Sequence, residues 1–193
     1  MTQEKKHLLK KEKKDLDTTK NTTPFSHQYF FPKTAIPVMP AVAAKLISKS
    51  KRPLLIVGSQ VLENKILEKA VEIGKKGIPI AATGNSYKGF ADSEVSATYI
   101  NLHALASYLC DPNWMGLDGK GGYDTVLLLG ITHYYASQAI TALKNFSPIK
   151  IISIDKYYHP NATMSFGNLK DNVFREALSE IISNLKARGE NNG

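Results

Sequence analysis

RPLLIVGSQVL, residues Arg52 to Leu62, opens with a proline and four apolar residues and closes on Gly58-Ser59-Gln60 and a helix-like pattern. A short, wholly apolar run that ends in glycine reads as a buried strand and a tight turn into a helix. Nucleotide-binding α/β domains begin this way, but their fingerprint has three glycines and this turn has one. Gly58 therefore either cradles a ligand or only makes the turn.

The same pattern recurs along the chain. IPIAATG (residues 78–84), YDTVLLLG (123–130) and IKIISID (149–155) are three more buried strands. Helical spacing is found from Pro40, with proline in the first turn, and over residues 62–76, with Gly77 as the stop. It recurs around Ile100–Leu109, over 133–146, and over 171–186. Apolar strands that alternate with helices predict a mainly parallel sheet covered on both faces, a doubly wound, Rossmann-like α/β domain. Residues 40–193 are read as that single domain. Residues 1–39 are read as a basic tail and an arm, expected to be partly disordered. The arm, PFSHQYFFPKTAIPVMP, has four prolines and four aromatics, and is expected to lie over its own domain or a neighbour's.

Composition narrows the function. No apolar run approaches the roughly 20 residues that span a bilayer, and the lysine-rich start has no apolar stretch behind it, so the expectation is a cytoplasmic protein without membrane contact. Cys110 is the only cysteine, which excludes an internal disulfide and a self-contained iron–sulfur cluster. The net charge is +8, of which seven lysines and four acids in residues 1–20 supply +3. Arg52, Arg175 and Arg188 are the only arginines. Without an arginine-rich patch interleaved with aromatics, nucleic acid is not an expected partner.

Ligands of open parallel sheets bind beyond the carboxyl ends of the strands. The candidate contacts are Gly58, Ser59 and Gln60, then Thr83, Gly84 and Asn85, then Gly130 and His133, and finally Asp155. There is no G-x-G-x-x-G, no P-loop, and no acid at the end of the second strand to hold a ribose. Asp118 and Asp124 flank a glycine-rich turn that lacks the further ligands of a calcium loop. His103, His133 and His159 have no metal spacing, and Ser59 has no histidine near it in the sequence. No catalytic set and no metal site emerge. The glycine-rich loops 111–122 and 156–168 carry Trp114, Met115, Tyr157, Tyr158, Met164 and Phe166, residue types suited to the centre of an interface.

The strand ends, in order, resemble the central domain of thiamine-diphosphate enzymes, which holds FAD in some members. His133-Tyr134-Tyr135 stands where flavin-binding members often place an arginine. With the four strands numbered along the chain, that resemblance implies the order 3-2-1-4. A closer likeness runs from about Pro40 to Leu185. VAAKLISKSKRPLLIVG, GIPIAATGNS, DPNWMGLDG and NATMSFGNL resemble the epsilon subunit of the archaeal carbon monoxide dehydrogenase/acetyl-CoA decarbonylase–synthase complex. This resemblance implies a non-catalytic partner of the nickel–iron–sulfur alpha subunit in an α2ε2 unit, and FAD is the one cofactor it brings into question. The isolated chain is then expected to self-associate through the face its partner would cover.

Overall fold

The computed structural model describes residues 16–24 and 34–188. The lysine-rich run at 1–15 and the aromatics of the arm at 25–33 lie outside the described residues. Among the described residues, seven strands form one sheet, and every pairing is parallel. In chain order they are β1 (Ile36–Pro37), β2 (Pro53–Val57), β3 (Ile80–Ala82), β4 (Ala97–Tyr99), β5 (Thr125–Leu129), β6 (Lys150–Ser153) and β7 (Met164–Ser165). The helices are α1 (Pro40–Lys49), α2 (Gln60–Glu63), α3 (Leu67–Gly74), α4 (Leu102–Cys110), α5 (His133–Phe146) and α6 (Asp171–Asn184).

The apolar runs bury both faces of the sheet. Leu55 and Val57 of β2 join Leu127 and Leu129 of β5 under α1, α3 and α6. Leu54, Ile56, Val126 and Leu128 point the other way, under α4 and α5. Strict alternation of side chains along a strand sends consecutive residues to opposite layers, so a two-sided core requires an unbroken apolar run.

The sheet order is β1-β7-β6-β5-β2-β3-β4. The four strands read from the sequence thus lie in the order 2-1-3-4, not 3-2-1-4. After β3 and its edge neighbour β4, the chain recrosses through α4 and pairs β5 with the far side of β2. The switch in direction falls between β2 and β5.

Three short strands escaped the sequence reading. β1, β4 and β7 have two or three residues each and no long apolar run. β1 extends the sheet to before Pro40, so this part of the arm lies on its own domain. Thr18 is buried and donates its hydroxyl to the carbonyl of Val38 at 2.6 Å. The helix expected over 62–76 is broken. Lys65 has φ +52°, and the Arg175 guanidinium binds the freed carbonyls of Asn64 and Lys65. Helical periodicity on both sides of a break looks continuous in sequence.

Gly58 and Gly130 are where the ends of β2 and β5 meet. A Cβ on Gly58 would lie 2.5 Å from Ile131 Cα. Gly130 has φ +67°, and a Cβ there would lie 2.5 Å from Val61 Cγ1. Both the close approach and the left-handed backbone require glycine. Gly130→Ala is expected to cost about 1–3 kcal/mol. Urea unfolding of the variant at wild-type midpoint and slope would contradict this account of the turn.

Candidate functional site

The strand-end crevice sits beside the switch between β2 and β5. Its volume is about 390 Å³, and Gly58, Ser59, Thr83, Gly84, Ile131 and Thr132 form its floor and one wall. Asn101, Leu102, His103 and Tyr135 form the other. Asn101 is held in place as the N-cap of α4, its side-chain oxygen accepting from the amides of His103 at 2.9 Å and Ala104 at 3.3 Å. His103 Nε2 lies 3.0 Å from Gln138 Oε1, and its ring meets Tyr135 edge-on. Ser59 and His103 line the same crevice, but no hydrogen bond joins them.

The expected ligand contacts divide into those that face the crevice and those that build it. Gly58, Ser59, Thr83 and Gly84 line it. The Thr83 hydroxyl is turned to structural use, donating to the carbonyl of Val57 at 2.9 Å, which also accepts from Ser86 Oγ. Gln60 and Asn85 are not among the lining residues. Gly130 is packed under Val61. Asp155 is buried behind the turn, its carboxylate accepting from the amides of Gly130 at 2.9 Å and Ile131 at 3.3 Å. It braces the end of β5 from below. Burial pushes its carboxyl up to about 6, against the opposing pull of the amides of Lys156, Ile131 and Gly130.

His133 also turns away from the crevice. Its ring stacks on that of His159, with centroids 4.1 Å apart and planes 14° off parallel. Sequence distance concealed this pair. His159 is almost fully buried. Burial, and then the neighbouring His133, push its imidazole down to about 3.

The residues expected at an interface part company. Loop 111–122 is anchored to the domain by an aromatic stack, with Trp114 and Leu117 packed against the core. Trp114 lies flat on Tyr108 at 5.6 Å and tilted on Tyr123 at 5.8 Å. The Arg52 guanidinium sits 5.1 Å above Tyr123 and pairs with Asp118 at 2.7 Å. Met115, at the tip, is 57% exposed. Loop 156–168 instead folds inward. Phe166 is wholly buried, and Tyr158 is 2% exposed with its hydroxyl donating to the carbonyl of Ala35 at 2.6 Å. Met164 packs against the core from β7, and Tyr157 is half-buried beneath the Lys156 ammonium. The polar neighbours Lys156 and Asn168 had given this loop a surface-like sequence.

The sequence profile of the family described as CO dehydrogenase beta subunit/acetyl-CoA synthase epsilon subunit matches residues 18–182. The chain belongs to this family. Its relatives include the acetyl-CoA decarbonylase/synthase complex subunit epsilon 1 of Methanosarcina barkeri, 51% identical over 88% of this chain and 99% of that one. The corresponding epsilon subunit of Methanothrix soehngenii is 45% identical over 90% of this chain and 97% of its own. The resemblance read from DPNWMGLDG and NATMSFGNL is thereby established. Among solved structures, a thiamin diphosphate-dependent enzyme from Mycobacterium smegmatis aligns with TM-score 0.46 and 14% identity, over 88% of this chain and 32% of that one. Among the described residues, no helix is long and apolar enough to cross a membrane, and no group of three or more metal-ligating side chains occurs.

The buried histidine makes the fold sensitive to acid. Between its ordinary value of 6.5 and about 3, the unfolded chain binds a proton at His159 that the folded chain refuses. Stability is therefore lost as pH falls through that window. Asp155 acts in the opposite sense, since the folded state takes up its proton first, between about 6 and the ordinary 3.8. The two windows overlap, and removing the histidine isolates its own contribution. His159→Phe keeps a flat ring against His133 without the titration. Its acid-unfolding midpoint, followed by circular dichroism, is expected at lower pH than wild type; an unmoved midpoint rejects this assignment.

Proposed function

We propose that the chain is an accessory, non-catalytic subunit of a cytoplasmic CO dehydrogenase/acetyl-CoA synthase complex. In this reading it stabilises the large nickel–iron–sulfur alpha subunit in an α2ε2 unit that serves CO oxidation and acetyl-CoA cleavage or synthesis. The observation that carries the reading is the braced aromatic loop 111–122 with its exposed surroundings. Met115 is 57% exposed, Tyr108 49%, and Phe146, at the end of the neighbouring α5, 74%. The stack from Tyr108 through Trp114 and Tyr123 to Arg52 fixes the loop before any partner arrives. A surface already rigid loses little conformational freedom on binding, which favours a permanent interface. Without its partner, the same face is free to meet a second copy of the chain.

The test is co-expression with the large subunit. Wild type is expected to co-purify at moderate salt. Met115→Asp with Phe146→Asp is expected to weaken association at least about tenfold, since each buries a charge in an apolar contact. Both side chains are exposed in the free chain, so its fold is spared. A double variant that co-purifies as well as wild type overturns this placement of the interface.

A second reading rests on the crevice. Its position at the switch between β2 and β5 suits a nucleotide, and Tyr135 offers a ring on which a flavin or adenine could stack. Under this reading the chain is an FAD- or nucleotide-binding electron-transfer subunit of the same complex. Titration with FAD then quenches flavin fluorescence, and Gly84→Val, which places a branched side chain at φ +59° on the crevice wall, diminishes the quenching. No quenching by the free chain or by the assembled complex retires it.

A further inference from the structure

At the opposite edge of the sheet, where β2, β3 and β5 begin, the fold gathers charge. A concave pocket of about 230 Å³ is lined by Lys51, Arg52, Lys120 and Arg188, with Asp118 as its one acid and Tyr123 as a wall. Two of the chain's three arginines thus converge on one site. They come from opposite ends of the domain, Arg52 from the entry to β2 and Arg188 from the segment after α6.

Arg188 is fixed. Its guanidinium donates to the carbonyls of Lys51, at 3.2 Å, and Ser50. Its own amide donates to the carbonyl of Lys76 at 2.9 Å, which ties the segment after α6 to the turn before β3. Gly77 makes room for this passage; with φ +81°, a Cβ there would lie 2.8 Å from the Arg188 carbonyl. Arg52 is fixed by Asp118 on one side and by the face of Tyr123 beneath. Among the described residues, Lys51, Lys120 and Arg188 form no ion pair with a carboxylate. Four cations line the pocket with one carboxylate, and a second, Asp124, accepts from the amides of Lys51 and Arg52 beside it, so a cationic surplus remains and two of the cations are immobilised.

We infer that this pocket is an anion site for a phosphoryl-bearing small molecule. A phosphoryl group carries a charge of about −2 near neutral pH and several strong acceptors, which matches a cationic surplus better than a single carboxylate does. Guanidinium groups held in place meet its oxygens with little loss of freedom, and the two lysines on the rim close over it as point charges. The concave shape favours a small molecule over the acidic surface of a protein. The pocket shares Arg52, Tyr123 and part of loop 111–122 with the surface proposed above, but its test uses the free chain and does not involve the large subunit.

The experiment is calorimetric titration of the full chain with inorganic phosphate and with inorganic pyrophosphate, at ionic strength held constant with potassium chloride. Saturable binding at one site is expected, tighter for pyrophosphate. Lys51→Gln with Lys120→Gln, both exposed and so harmless to the fold, is expected to weaken pyrophosphate at least about tenfold. Lys45→Gln, on the exposed side of α1, leaves it unchanged. Absence of saturable binding at millimolar pyrophosphate overturns the inference. So does equal weakening by Lys45→Gln, which would reduce the effect to net charge, or undiminished binding in the Lys51/Lys120 variant.

Discussion

Two residues without side chains set the geometry on which the rest depends. Gly58 and Gly130 let the turns after β2 and β5 come into contact, and no larger residue fits either position. That contact fixes the spacing of the two central strands at their carboxyl ends. Beyond it, α2 packs into one core layer through Val61 and α5 into the other through Ala136 and Ile140. Asp155 secures the arrangement from the next strand by holding the amides of Gly130 and Ile131. A carboxylate buried to this degree is costly unless several donors face it, and these amides are such donors.

The two edges of the sheet differ in chemistry. The carboxyl edge is floored by glycine, serine and threonine and has no lysine, arginine, aspartate or glutamate among its lining residues. The amino edge collects four cations around Asp118. Between them, loop 111–122 belongs to the amino edge through Arg52 and Asp118, and to the outer surface through Trp114 and Met115. Arg52 therefore takes part in two arrangements at once, bracing the aromatic stack and lining the basic pocket. A change at this one residue disturbs both, whereas Lys51, which precedes β2 and lies outside the loop, belongs to the pocket alone.

Recognition from sequence succeeded where the signal was local. PLLIV and TVLLL are apolar at every position, and that alone requires cover on both faces. One wall of the crevice, Gly58, Thr83 and Gly84, is legible in sequence because strand ends show as the end of an apolar run. Its other wall was missed. Asn101, His103 and Tyr135 come from α4 and α5, and only the crossing of the chain to the far side of β2 brings them there. The inward course of Tyr158 and Phe166 was equally hidden. An aromatic among glycines and polar residues looks the same whether it faces solvent or the core.

The sequence by itself determined the class of fold, the position of the strand-end turns and membership of the family, because these rest on apolar runs, turn residues and contiguous motifs. The tertiary structure alone decided the strand order, the interruption at Lys65, the stacking of His133 on His159 and the meeting of Arg52 with Arg188. Each of these depends on which distant segments pair across the sheet. That choice is made by the packing of whole layers and leaves little trace in local periodicity.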